Sequence, residues 1–102
     1  MKKILFLMFA FATAALASEE AGKSMIEAYS VLAAGIGLGI AAMGGAIGMG
    51  NTAAATIAGT ARNPGMGGKL MTTMFIALAM IEAQVIYTLV IALIALYANP
   101  FL

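Results

Sequence analysis

Polar and charged side chains are so sparse along this chain that they mark the boundaries of three apolar stretches. The first runs from Ile4 to Leu16, after Lys2-Lys3 and before Ser18-Glu19-Glu20. The second, from about Met25 to Ala61, is built mostly of Ala, Gly, Ile, Leu and Met. The third, about residues 69–98, is richer in Ile, Leu, Met, Val, Phe and Tyr. None alternates apolar and polar residues with the period of two that a half-buried strand shows, so helices are predicted. At about 1.5 Å per residue, the second and third are each long enough to cross a hydrocarbon core of about 30 Å. The predicted fold class is an all-α membrane protein, a two-helix transmembrane hairpin preceded by a signal-peptide-like segment. Residues 1–17 form that segment and residues 18–102 the hairpin, with spans at about 25–61 and 69–98 and a loop at about 62–68.

Composition narrows the class further. The chain has 102 residues, 64% hydrophobic and 9% charged, whereas soluble domains are about 45–50% apolar and about 25% charged. It contains no cysteine and no histidine, which removes disulfides, thiol chemistry and the usual zinc or haem ligands. A net charge of +1 gives no footprint for nucleic acid. No nucleophile–base pair or metal constellation points to an enzyme.

The placement of the few charges gives an orientation. Lys2-Lys3, a short apolar run and Ala15-Leu16-Ala17 are the three parts of a secretory signal peptide. The alternative is an extra N-terminal helix. Arg62-Asn63-Pro64-Gly65-Met66-Gly67-Gly68-Lys69 reads as a turn, because proline disfavours helix in the residue before it and three glycines follow. That turn holds Arg62 and Lys69 and no acid, while Glu19, Glu20 and Glu27 stand against Lys23 at or before the start of the first span. The positive-inside rule then places the loop in the cytoplasm and both ends outside, a multi-pass arrangement suited to a bacterial inner membrane.

The first span is dense in glycine: Gly35, Gly37, Gly39, Gly44, Gly45, Gly48 and Gly50. A phosphate-cradling loop would need a preceding strand, and none is predicted. Helix packing accounts for the pattern. Ala33, Gly37, Ala41 and Gly45 recur every four residues, as do Ala42, Ala46, Gly50, Ala54 and Ala58, with Gly44, Gly48 and Thr52 forming a third row. Residues four apart share a helix face, and small side chains let backbones approach closely in membranes. Small residues on several faces suit a helix packed on both sides.

The one acid deep within a span is Glu82, in Met80-Ile81-Glu82-Ala83-Gln84, since Glu27 stands at the very start of the first. A charged side chain at the centre of a membrane helix costs about 2.5–3.5 kcal/mol on insertion scales. A glutamate used only as glue between helices would be replaceable by Ser, Thr or Gln at lower cost. A carboxyl that is neutral against lipid and charged in a polar channel is a proton or cation carrier. Arg62 and Lys69 belong to the loop, so any positive group acting on Glu82 must come from another protein of an assembly.

A glycine-rich helix, an Arg-Asn-Pro turn and a second helix with a mid-membrane acid resemble the proteolipid, or c-ring, family of F-type ATP synthases. The resemblance covers about residues 30–101. It rests on Gly35 to Gly50, on Ala61-Arg62-Asn63-Pro64, on Glu82-Ala83, and on the stretch from Tyr87 to Leu93 leading into Tyr97-Ala98-Asn99-Pro100-Phe101. It implies an oligomeric ring of hairpins embedded in membrane lipid, with the glycine helix inside and the Glu82 helix outside. It further implies protonation of Glu82 against lipid and exchange at the a-subunit, which supplies an arginine and two half-channels. Arg62, Asn63 and Pro64 would contact the gamma and epsilon subunits of the central stalk. The signal-like leader departs from the family pattern, in which the first span follows almost directly.

The same resemblance bears on the ion. Sodium-using members have Gln at the position of Met49 and Ser or Thr at that of Ala83, so a proton is the expected cargo, with no cofactor and no bound metal. Tyr87 matches a family tyrosine near the site, and Gln84 is a further polar candidate. Rival readings are a small multidrug transporter, which would need about four spans and an aromatic cavity, and a purely structural hairpin, which leaves Glu82 unexplained.

Overall fold

A computed structural model describes all residues, 1–102. It consists of two helices, α1 (Lys2–Arg62) and α2 (Gly67–Tyr97), joined by Asn63 and a single 3-10 turn, Pro64–Met66. Of 90 backbone hydrogen bonds, 85 lie inside the helices, as a bilayer requires, since hydrocarbon offers no water to an unpaired peptide group. Both helices are long and apolar enough to cross a membrane.

Two boundaries differ from those expected. The leader and the first span are one continuous helix, because Ser18 to Ser24 contains no proline and only Gly22 weakens it, by about 1 kcal/mol. The loop is also shorter than 62–68. Gly67 already has helical angles, φ −55° and ψ −46°, and α2 starts there. A Cβ on Gly67 would lie 3.1 Å from Thr60 Cγ2. This glycine thus serves the close return of the chain, with no special dihedral needed.

α1 and α2 meet along a seam read directly from their less exposed positions. On α1 these include Ser30, Ala34, Gly37, Ala41, Gly45, Gly48, Thr52, Thr56 and Gly59. Eight steps of three or four residues span that series, about 3.6 per step, the repeat of a straight α-helix. Facing them on α2 are Leu70, Met74, Ile81, Val85, Thr88, Ala92 and Ala95. Only Ala34 and Ala92 are buried, so one copy has almost no core of its own.

Polar groups on the seam are satisfied without crossing it. Thr52, Thr56 and Thr60 donate their hydroxyls to the carbonyls of Gly48, Thr52 and Thr56 at 2.8–2.9 Å, leaving their methyl groups for packing. The exception is at the open end. Asn99 Nδ2 donates to Ser30 Oγ at 2.8 Å, the single side-chain hydrogen bond between the two arms of the hairpin. Asn99 Oδ1 also accepts the Phe101 N–H at 2.9 Å, which turns the chain back after α2. A register slip of one residue would lose this pairing.

Among the glycines the tightest fit is at Gly45, where a Cβ would lie 2.7 Å from Val85 Cγ2. Valine is stiff about χ1 and cannot easily yield. Gly45→Ala is therefore expected to destabilise the hairpin, with overpacking of about 1–3 kcal/mol outweighing a helix-propensity gain of about 1 kcal/mol. Adding Val85→Ala should relieve the clash. Detergent-denaturation midpoints of the purified protein check this, and a Gly45→Ala variant as stable as wild type would show that the contact is not limiting.

Candidate functional site

Glu82 lies midway along α2, fifteen residues from Gly67 and fifteen from Tyr97, or about 22 Å from either end. Its depth follows from the flanking sequence, since every residue from Met74 to Ile81 is apolar and Val85 and Ile86 follow. Ile81 and Val85 flank it in sequence and face α1. A Cβ on Gly48 would sit 3.5 Å from Ile81 Cδ1, just as Gly45 approaches Val85. These two contacts fix the rotation of α2. At about 100° per residue, Glu82 is then carried off the seam, and it is exposed.

On its own helix face, three and four residues away, Glu82 has Leu78, Ala79, Val85 and Ile86. None of them can hydrogen-bond through its side chain. Glu82 takes no part in any side-chain hydrogen bond of the chain. The outward face of α2 therefore presents one carboxyl in an otherwise apolar stretch.

The expected neighbours are distributed unevenly. Met49 is half-buried beside Gly48, at the level of the Ile81 contact. Ala83 is half-buried and has no side-chain oxygen. Tyr87 is 67% exposed and, five residues on, lies about 140° around the helix from Glu82. Gln84, two residues on, points to the opposite side, so within one copy neither completes a polar site with Glu82. Thus Glu82 lacks oxygen ligands from its own chain.

Arg62, Asn63 and Pro64 are gathered at the far tip. Arg62 closes α1, where a cation complements the helix dipole. Asn63 donates its N–H to the Gly59 carbonyl at 3.0 Å and accepts from the Met66 N–H at 3.0 Å, and Pro64 opens the short turn. All three are exposed. The glycines divide into two groups. Gly45 and Gly48 meet α2, whereas Cβ atoms on Gly35, Gly37, Gly39, Gly44 and Gly50 would meet nothing within 4 Å.

Sequence reasoning passed over Asn51. It is exposed on α1, three residues beyond Gly48, and its carboxamide makes no hydrogen bond within the chain. The signal was the one that revealed Glu82, a strongly polar side chain inside an apolar span.

The model of the ATP synthase C-subunit family matches residues 32–95. The ATP synthase c-subunit of Sulfurimonas denitrificans is 78% identical over 103 residues, covering 100% of this chain and 99% of that protein. The corresponding protein of Sulfurovum sp. is 78% identical, with the same coverage. That of Campylobacter lari is 76% identical, covering 99% of this chain and 94% of its own length.

Carbodiimides add to protonated carboxyls in apolar surroundings. In native membranes, peptide mass spectrometry should find the adduct on Glu82, and none on Glu19, Glu20 or Glu27, which lie at or before the start of the first span. Labelling of those three with Glu82 unmodified would contradict a lipid-facing Glu82.

Proposed function

The chain belongs to the ATP synthase C-subunit family, and we propose that it serves there as the proton carrier, with Glu82 as the titrating group. The observation that carries this reading is the unpartnered, outward-facing carboxyl at mid-span. Against lipid, Glu82 holds its proton, because the ionised form is costly there. Where a polar channel replaces lipid, the anion is solvated and the proton leaves. Returning the site to lipid requires a proton to be taken up again, so rotation past two channels opening to opposite sides carries one charge per site across the membrane. Each charge moved across 100 mV is worth about 2.3 kcal/mol, so several must pass for each ATP.

The partners follow from what a single copy lacks. A positive group is needed to stabilise the ionised carboxylate, and none of the hairpin's basic residues is at that depth: Arg62 and Lys69 lie at its tip, about 20 Å away, and Lys23 beyond its open end. The a-subunit, with an arginine and the two half-channels, supplies that group. The exposed small face at Gly35, Gly39, Ala46 and Gly50, together with the unpartnered Asn51 amide, suits close packing against further copies of the hairpin. A ring with α1 inside and α2 outside satisfies both faces. Its loop, with Arg62, Asn63 and Pro64, lies in the cytoplasm of a bacterial cell and bears on the gamma and epsilon subunits of the central stalk. Apart from the carboxyl O–H of Glu82, the hairpin makes and breaks no covalent bond, and nucleotide chemistry belongs to the rest of the complex.

Proton transport is favoured over sodium because sodium needs several oxygen ligands, whereas a proton needs one carboxyl. Met49 and Ala83 supply none. Glu82→Gln, which mimics the protonated side chain in shape and charge, should leave assembly intact and reduce proton-driven ATP synthesis to background. Wild-type synthesis in inverted membrane vesicles should be unchanged when potassium replaces sodium. Full activity in Glu82→Gln would overturn the role of Glu82, and a strict sodium requirement would overturn the ion.

A further inference from the structure

α1 is about twice as long as its partner needs. Its 61 residues measure about 92 Å against about 46 Å for the 31 residues of α2, and the molecule is 93 Å in its longest dimension. The helices part company just beyond the Ser30–Asn99 hydrogen bond. Every residue from Met1 to Met25 is exposed, and of these only Gly22 and Met25 line the groove shared with Ile94, Ala95 and Phe101 of the other arm.

The projecting part cannot keep this position in the assembled protein. The hydrocarbon core is about 30 Å thick, and α2 already exceeds it. Continued along the axis of α1, Ile4 to Leu16 would lie about 20–40 Å beyond Ser30. There Phe6, Phe9 and Phe11, each at least 70% exposed, would stand in water past the charged residues Glu19, Glu20, Lys23 and Glu27. Exposed apolar surface of this extent is disfavoured in any aqueous compartment. The segment must therefore enter the membrane separately or be removed. As a separate span it is short, since residues 4–17 give about 21 Å of helix.

The helix itself indicates which. The observed start of α1 has no side-chain cap and no acid in its first turn, and it carries Lys2 and Lys3 against the positive end of the helix dipole. Sixteen residues beyond Lys2 stands a much better helix start. Ser18 is a preferred N-cap residue, with its hydroxyl placed to accept the N–H of Glu20 or Ala21. Glu19 and Glu20 then fill the first turn, where negative charge is favourable. Inside a continuous helix these residues have no such use. Immediately before Ser18 stand Ala15 and Ala17, the small side chains of an A-x-A cleavage sequence.

We infer that residues 1–17 are an insertion leader, removed by a membrane peptidase on the outer face, and that the functional hairpin begins at Ser18. The reaction is hydrolysis of the Ala17–Ser18 peptide bond, in which water supplies the carboxylate oxygen of Ala17 and the hydrogen that completes the Ser18 amine. Lys2 and Lys3 hold the leader's start in the cytoplasm during insertion, which places the bond on the side opposite Arg62 and Lys69. Cleavage costs the hairpin little packing, because residues 1–17 are all exposed and the residues that line the groove with α2 begin at Gly22. It replaces an uncapped basic helix start with a capped acidic one.

The test is intact and N-terminal peptide mass spectrometry of the protein purified with its complex from native membranes. The expected species is the chain from Ser18 to Leu102. A chain retaining residues 1–17, or one cut at another bond, overturns the inference. In an Ala17→Phe variant the small pocket of the peptidase cannot take the side chain, so the Ala17–Ser18 bond should stay intact. Cleavage of that bond at the wild-type level would overturn the assignment of Ala17. Neither readout depends on ATP synthesis, so the result stands apart from the role of Glu82.

Discussion

A peptide group left unpaired in hydrocarbon costs several kcal/mol, and the architecture of this chain follows from that constraint. It confines the backbone to two helices and allows one interruption, the short turn at the tip, where water is at hand. It also governs the side chains. Six threonines in the spans return their hydroxyls to their own helix, four residues back, so that the seam between helices is left to methyl groups, aliphatic side chains and glycine. In lipid, burial of apolar surface drives no association between helices, and packing at close range takes its place. Gly45 and Gly48 are where that close range is reached.

The carboxyl of Glu82 stands out against this background of satisfied groups. Its exposure is a consequence of rotation. Ile81 and Val85 are held against α1, and Glu82, one step of about 100° beyond Ile81, is turned outward. The same glycines that let the helices touch thus determine where the acid points. A larger residue at Gly45 would move α2 away or rotate it, and either change would re-aim Glu82. On the proposed role of Glu82, packing and proton transfer would be coupled through one turn of α2, whereas the loop is about 22 Å distant.

Much of this was legible in the sequence because hydrocarbon leaves few options. Apolar stretches of sufficient length, a Pro-containing polar turn and one acid at mid-span determine a hairpin with a single reactive depth. What the sequence concealed has definite physical reasons. The join at Ser18 to Ser24 reads as a boundary because it is charged, yet Glu, Ala and Lys are good helix formers and the helix runs through. Gly67 reads as a flexible loop residue but is helical and close to Thr60, a contact visible only once both arms of the turn are placed. The pairing of Asn99 with Ser30 joins residues 69 apart in sequence, beyond the reach of any local pattern. Tyr87 and Gln84 were within reach, since counting 100° per residue places neither on the face of Glu82.

The two helices differ in what they ask of their surroundings. Only two alanines are buried, and five glycines of α1 between Gly35 and Gly50 have open space where a side chain would be. Glycine within a helix costs about 1 kcal/mol relative to alanine, so five of them without a contact in their own chain would be a substantial and unexplained loss. The cost is offset if neighbouring helices approach those faces as closely as α2 approaches Gly45. Asn51, exposed and unpaired on α1, places the same demand in polar form. The outward face of α2 makes no such demand, since apart from Glu82 and Gln84 its exposed middle is made of residues that lipid solvates well. In the proposed ring, this asymmetry, one helix needing protein and the other content with lipid, would orient each copy and turn Glu82 towards the membrane.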